Sequence, residues 1–346
     1  MRIIVQVFHP GHVHLFKNYI REMTARDAEI CIVAKDKDVT IDLLESYDFA
    51  YELVMDDRTT NPKYPQGWVR QLKLEYNILN VARKFQPDLL LGKGGVALGH
   101  VGQLLGIPTL TFQNNEHGTL ERKLSVPFVD RLCTHEYFWD DLGSNQVRYP
   151  GYQELAYLHP NQFSPDPSVF ETLDVDPGDS FVIVRLISWE AAHDIGYSGI
   201  EDTKSIIDRL ESTGTEVLLT SEAETPGHLA EYRVDIPVHK IHDLMYYADL
   251  FVGESGTMAC ESAVLGTPAV YISPIRVGYL DELESKYGLA YNFSGPNRQQ
   301  NGLEKAVSVL RDEDQERYER RYEALQEDKI DTTEFMIEQT YEMIAG

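Results

Sequence analysis

The chain has 346 residues, more than one ordinary hydrophobic core accommodates, and its 42% hydrophobic content excludes a disordered chain. Acidic residues number 56 against 31 Lys and Arg, giving a formal charge of -25. That balance, with no run of Lys or Arg, excludes nucleic acid as an expected partner, because phosphate backbones need a basic surface. Only 13 of the basic residues are Lys. An acidic, lysine-poor surface suits a salt-rich cytoplasm, where repulsion between carboxylates is screened, so the composition reads as halophilic. Cys31, Cys133 and Cys260 stand far apart with no CxxC pair, which argues against a disulfide scaffold or structural zinc. No run approaches the roughly 20 apolar residues of a membrane span, and the first residues lack the apolar length of a signal peptide. A cytoplasmic protein is expected; contact with a membrane surface stays open, as does the oligomeric state.

In chain order, the β-branched run at 3–8 reads as a buried strand, followed by the loop HPGHVH and a helix over 15–23. A strand over 30–34 and a helix over 40–47 follow. Residues 56–68 are polar and rich in proline and aromatics, which predicts a long loop before a helix over 69–85. Next comes a tight unit: strand 89–92, a glycine loop, a helix to Leu105, Gly106 and strand 108–112. Residues 149–167 carry four prolines and no clear period, and are read as a linker. The alternation then restarts, with strands at 181–186, 216–220, 250–253 and 269–273, and helices at 201–212, 241–248 and 257–265. Residues 302–345 are charged and helical, suited to cover a sheet. Strands alternating with helices at this spacing predict α/β architecture with parallel sheets. The expected domains are an N-terminal Rossmann-like domain over 1–150, a linker over 151–167, a C-terminal Rossmann-like domain over 168–330, and a last helix over 331–346 that can cross back to the first domain.

The strongest chemical feature is DLFVGESGTMACESAVLGTPAV, residues 249–270. A strand ends at Gly253, and Ser255, Gly256 and Thr257 turn the chain straight into a helix. The first amides of such a helix lack intrahelical partners, and the helix dipole favours an anion there. Gly256 lets a phosphate approach the backbone, and the two hydroxyls add donors. Glu261 follows on an otherwise small and apolar helix, where a carboxylate can accept from both hydroxyls of a ribose. The plain alternative is a serine N-cap and a helix acid with no ligand.

The stretch HDLMYYADLFVGESGTMACESAVLGTPAVYIS resembles the nucleotide-binding segment of GT-B glycosyltransferases, of UDP-N-acetylglucosamine 2-epimerases and of the N-acetylglucosaminyltransferase that forms lipid II. The resemblance implies that Ser255, Gly256 and Thr257 hold a diphosphate and that Glu261 binds the ribose. It also implies two Rossmann-like parallel-sheet domains facing across a cleft. Gly11-His12-Val13 resembles the transferase's Gly-Gly-His-Val loop, and Gly94-Gly95-Val96 its Gly-Gly-Tyr/Val motif. FQNNEHG at 112–118 resembles its His-Glu-Gln-Asn stretch through Asn115 and Glu116-His117-Gly118. The whole chain is similar to an uncharacterised archaeal family of this superfamily. Two departures weigh against 2-epimerisation: the loop that carries the epimerase's aspartate reads Gly92-Lys93-Gly94-Gly95, and its Gly-His-Arg motif is replaced by RLISWEAAHD at 185–194.

Among the remaining candidates, His9, His12 and His14 share one loop without a nearby acid, so substrate contact is favoured over a metal. Glu116 and His117 end a strand at the carboxyl edge of the sheet, where open α/β folds bind ligands. An acid beside a histidine there can serve as a general base, and His12 and Glu116 are expected to face each other as the catalytic pair. Arg185, Ser188 and His193 follow a C-domain strand and can reach phosphate or sugar, while Lys93 can meet an anion. The reading is a glycosyltransferase that moves a sugar from a nucleotide-diphosphate sugar, a uridine diphosphate sugar by the resemblance, to a glycan or lipid-linked acceptor. It calls on no metal or cofactor. The alternatives are an epimerase-like isomerase or hydrolase and a non-catalytic nucleotide-sugar binding subunit.

Overall fold

The apolar runs and the helices between them form two parallel sheets. The protein is described by a computed structural model covering residues 1–56, 66–173, 175–187, 200, 202–221, 226–312, 314 and 316–345. The chain divides into two units, one of residues 1–162 and 330–346 and the other of residues 163–329.

Unit 1 runs β1 (Arg2–Val7), α1 (Pro10–Ala25), β2 (Glu29–Asp36), α2 (Thr40–Ser46), β3 (Tyr51–Asp56), α3 (Gln66–Phe85), β4 (Leu89–Lys93), α4 (Val96–Leu105), β5 (Thr109–Gln113), α5 (Thr119–Ser125), β6 (Arg131–His135), β7 (Gln146–Tyr149) and α6 (Leu155–Leu158). Its seven strands lie in the order β3-β2-β1-β4-β5-β6-β7, and every pair is parallel. One sheet face is sealed by α3 and α4, through Ile4, Val33 and Leu90 of the strands against Leu74, Ile78, Leu98 and Val101 of the helices. Such side chains each contribute about 1.5–3 kcal/mol by leaving water.

Several sequence expectations need correction here. The loop HPGHVH is the first turn of α1: Pro10 supplies the fixed φ of a helix start, and His9 caps it by accepting the Gly11 amide at 3.1 Å. The segment read as a linker contains α6, whose four residues are all buried. A short helix buried all round has no polar face, so no 3.6-residue period marks it. Strands β3, β6 and β7 went unread because polar residues interrupt their apolar pattern. Most of the expected loop at 56–68 lies outside the described residues.

Unit 2 runs β8 (Phe181–Leu186), α7 (Thr203–Glu211), β9 (Glu216–Ser221), α8 (Ile241–Tyr247), β10 (Leu250–Gly253), α9 (Gly256–Val264), β11 (Ala269–Ile272), α10 (Gly278–Glu282), β12 (Ala290–Phe293), α11 (Arg298–Leu310) and α12 (Glu316–Asp328). The sheet order is β12-β11-β10-β8-β9, again all parallel. Val182, Val184, Leu219 and Val252 meet Ile206, Leu210 and Ala306 in its core. After α12 the chain returns to unit 1 as α13 (Thr332–Ala345), where Phe335 stacks on Tyr149 at 4.7 Å and Thr340 shares a hydrogen bond with Tyr19.

Beside α12, Lys329 donates to Glu282 while their side chains are only 1% and 0% exposed. A buried ion pair adds little over apolar packing, but removing one partner strands the other charge. Lys329→Met is therefore expected to destabilise the protein by about 3–5 kcal/mol, and adding Glu282→Leu is expected to restore most of it. Denaturant titration of the two variants checks this; a single variant as stable as the parent would contradict it.

Candidate functional site

In unit 2, β8 is followed in sequence by β9 on one side, whereas β10 lies on its other side. The connections therefore diverge between the carboxyl ends of β8 and β10, the place where open α/β sheets leave a crevice. Gly253 ends β10 in register with Arg185. A Cβ on Gly253 would stand 2.8 Å from the Arg185 carbonyl oxygen, so only glycine lets the two strands close here. Ser255 is extended, and its Oγ accepts the Met258 amide at 3.3 Å, capping α9. The plain cap is thus real, and it engages the third amide of the helix. The amides of Gly256 and Thr257 precede the first intrahelical acceptor and carry the positive end of the helix dipole. Ser255, Gly256 and Thr257 are half-buried, whereas α9 is buried from Ala259 to Val264.

Two phenols crowd this turn. A Cβ on Gly256 would lie 3.0 Å from the Tyr279 hydroxyl oxygen and 3.6 Å from that of Tyr271. Sequence reasoning missed both, since a tyrosine in a strand or first helix turn looks like any core aromatic. It also missed Glu254, whose carboxylate accepts the amides of Ile187 at 3.3 Å and Ile200 at 2.5 Å. Glu261 is 5% exposed, and its Oε1 lies 3.0 Å from Nε2 of His242 on α8. A buried carboxylate needs such a partner. Arg185 is half-buried at the end of β8. Ser188 and His193 lie outside the described residues.

In unit 1 the corresponding divergence falls between β1 and β4. A cavity of about 330 Å³ opens there, lined among others by His12, Lys35, Lys93, Gly94, Gly95, Asn115 and Glu121. Gly94 has φ +73°, and a Cβ on it would run into the Glu121 carboxylate. Gly95 caps α4 without a side-chain bond. Asn115 Oδ1 accepts the His117 amide at 2.9 Å, which fixes the loop after β5.

His12 Nδ1 accepts the Phe8 amide at 3.3 Å. In a neutral ring that leaves the proton on Nε2. Burial first, then Lys93, His9, Lys37 and Lys35, hold the imidazole well below its usual 6.5. At neutral pH His12 is accordingly uncharged, with Nδ1 engaged and Nε2–H left to donate.

The expected pairing of His12 with Glu116 is not found. Glu116 is 4% exposed and lies 3.4 Å from His135 of β6, in the interior of unit 1. His14 is also internal, with its ring 5.5 Å from that of Tyr157 and 6.4 Å from that of Tyr47. The reason is helical geometry: residues two apart on a helix point roughly 200° apart, so His12 and His14 cannot serve one ligand. His117 is exposed against Trp139, with rings 5.8 Å apart. Instead the acid that reaches the cavity is Glu121, which the sequence hid in an ordinary helix turn. Desolvation raises its carboxyl pKa, opposed by Lys93 and Lys35. Among the described residues, no group of three or more His, Cys, Asp and Glu is arranged to hold a metal ion, and no helix is long and apolar enough to cross a membrane.

Two parallel α/β units of this kind define the GT-B class of fold, and known proteins agree. A structure of UDP-GlcNAc 2-epimerase from Neisseria meningitidis bound to UDP-GlcNAc matches with a TM-score of 0.70 at 13% identity, covering 99% of each chain. The glycosyltransferase VinC in complex with dTDP matches with a TM-score of 0.67 at 14% identity, covering 100% of each. The chain belongs to the family described as "Protein of unknown function (DUF354)", which matches residues 1–345. It is 24% identical to the uncharacterized protein MJ0665 of Methanocaldococcus jannaschii over 276 residues, covering 76% of this chain and 79% of that one. It is also 21% identical to the UDP-N-acetylglucosamine–N-acetylmuramyl-(pentapeptide) pyrophosphoryl-undecaprenol N-acetylglucosamine transferase of Histophilus somni over 336 residues, covering 89% and 87%.

The His12 environment has a measurable consequence. Its folded pKa lies below the unfolded value, so the unfolded chain binds more protons in that window. The resulting stability is present above about pH 6.5 and is lost as pH falls toward the folded pKa. Proton NMR, with His12→Gln assigning the resonance, is expected to show a midpoint well below 6.5. A midpoint at or above 6.5 would contradict the geometry.

Proposed function

We propose that the protein is a glycosyltransferase that uses a nucleoside diphosphate sugar, with a uridine nucleotide as the donor. The observation that carries this reading is the turn from β10 into α9, where glycines clear the backbone and the helix presents its first amides. A diphosphate fits that place through the Gly256 and Thr257 amides, the Thr257 hydroxyl and the Tyr271 and Tyr279 phenols. Arg185, at the end of the neighbouring strand, adds a fixed positive charge. Glu261, held by His242, accepts from the ribose hydroxyls.

Unit 1 takes the acceptor. In the transfer the acceptor oxygen bonds to the anomeric carbon, the bond from that carbon to the diphosphate breaks, and the hydroxyl proton passes to a base, for which Glu121 is the candidate. A carboxylate raised by desolvation suits that proton transfer. His12 donates to the substrate through Nε2, and Asn115 positions it. The charge that develops on the leaving diphosphate is met by oriented amides and hydroxyls, a preorganised arrangement that calls on no metal. A second reading, epimerisation of the same donor, is supported by the likeness to an epimerase structure bound to UDP-GlcNAc. Acceptor-dependent release of uridine diphosphate supports transfer, and isomerisation without acceptor supports the second reading.

Glu261→Gln keeps the side-chain volume and removes the charge. We expect uridine diphosphate to bind about tenfold to a hundredfold more weakly, as the loss of about 1.5–3 kcal/mol of charge-assisted bonding implies. Calorimetry on the folded variant tests this, and an unchanged affinity would remove Glu261 from the ribose role.

A further inference from the structure

The cavity of unit 1 is unusual for so acidic a protein. The chain has 13 lysines among 346 residues and a formal charge of -25. Yet Lys35 and Lys93 both line this one cavity, and Lys37 lies near enough to act electrostatically on His12 at its wall. Lys35 holds its ammonium 4.5 Å above the Phe8 ring, and Lys37 approaches Asp38 at 3.8 Å. The carboxylate lining the cavity is Glu121, against two lysines.

Other donors converge from different elements. His12 offers Nε2–H, because its Nδ1 is engaged by the Phe8 amide. Asn115 has its oxygen engaged by the His117 amide, which leaves its amide group to donate. Gly95, Val96 and Ala97 line the cavity at the start of the ten-residue helix α4, which no side chain caps. Donors from β2, β4, the loop after β5 and two helices thus line one volume of about 330 Å³. A carboxylate has only two oxygens for such a ring of donors; a phosphate group offers three and a larger charge. The net charge of -25 sharpens the contrast, since a cluster of lysines stands out in so acidic a chain.

We propose that this cavity is a phosphate site and that the second substrate is therefore a phosphorylated compound, held by Lys35, Lys93, His12 and the amino end of α4. The word "second" rests on the transferase reading, which places the donor's diphosphate in unit 2; the phosphate site itself does not. Glu121, at the cavity margin, then stands beside the bound compound, where it can take a proton from a hydroxyl.

The test is calorimetry of the full chain at one fixed potassium chloride concentration, with inorganic pyrophosphate and uridine diphosphate titrated separately. Lys35→Gln/Lys93→Gln is expected to weaken pyrophosphate binding by about tenfold or more and to leave uridine diphosphate affinity unchanged. Pyrophosphate affinity that survives the double variant would overturn the proposal. So would an equal loss for both ligands, which would mean one shared site. If uridine diphosphate fails to bind while pyrophosphate binding still depends on the lysines, the nucleotide reading falls and the phosphate site stands. Should the double variant not fold, reductive methylation of the parent protein decides: pyrophosphate is expected to protect Lys35 and Lys93, and unprotected lysines overturn the proposal. Geranyl phosphate and glucose 6-phosphate, used as competitors, separate a lipid source from a soluble one, and failure of both to compete overturns it.

Discussion

The constraint on which the structure depends is that every strand pair in both sheets is parallel. Parallel pairing sends each strand's carboxyl end to the same edge of its sheet, and the following helix must begin there. Helix amino ends, with their unpaired amides, gather on that edge without any residue being selected for the purpose. Where the direction of the connections reverses, between β8 and β10 in one unit and β1 and β4 in the other, the helices part and leave room for a ligand. Glycine is then required for two different reasons: a side chain on Gly253 would meet the Arg185 backbone and part the strands, while Gly94 holds φ +73°.

The two crevices are chemically different, and the difference follows from what each strand end carries. In unit 2 the sheet ends in Gly253, Glu254 and Ser255. The acid is committed to the Ile187 and Ile200 amides and the serine to capping, so the turn itself offers backbone amides, with two tyrosine hydroxyls close by. In unit 1, Lys35 near the end of β2 and Lys93 at the end of β4 line one cavity with His12 of α1. Burial, and after it those lysines, keep the histidine neutral, because a further positive charge in the same space is costly. One fold pattern, repeated in a single chain, therefore presents one site of helix amides beside Arg185 and another lined by two lysines.

Much of this was legible in the sequence, though unevenly. The run from Asp249 to Val270 was readable because its strand is uniformly apolar, its turn has small residues, and its helix is small-sided until Glu261. Each level pointed to the same answer. The unit 1 site was readable only in part. His12, Gly94, Gly95 and Asn115 each follow a strand in the sequence, and the structure brings all four to one cavity. The partner of Glu116 was not readable, because sequence shows that a residue follows a strand but not whether its side chain turns outward or back beneath the loop. His135, which receives Glu116, lies in β6, a strand whose pattern is too short and mixed to detect. Glu121 was hidden for the opposite reason: an acid in the first turn of a helix is so ordinary that only its place beside Gly94 marks it.

The central claim is that the amino end of α9 holds a nucleoside diphosphate. A crystal structure of the protein soaked with uridine diphosphate tests it directly. The account predicts phosphate density within hydrogen-bond distance of the Gly256 and Thr257 amides, with the ribose against Glu261. Density for the diphosphate away from that turn, or a ribose that leaves Glu261 untouched beside His242, would contradict it.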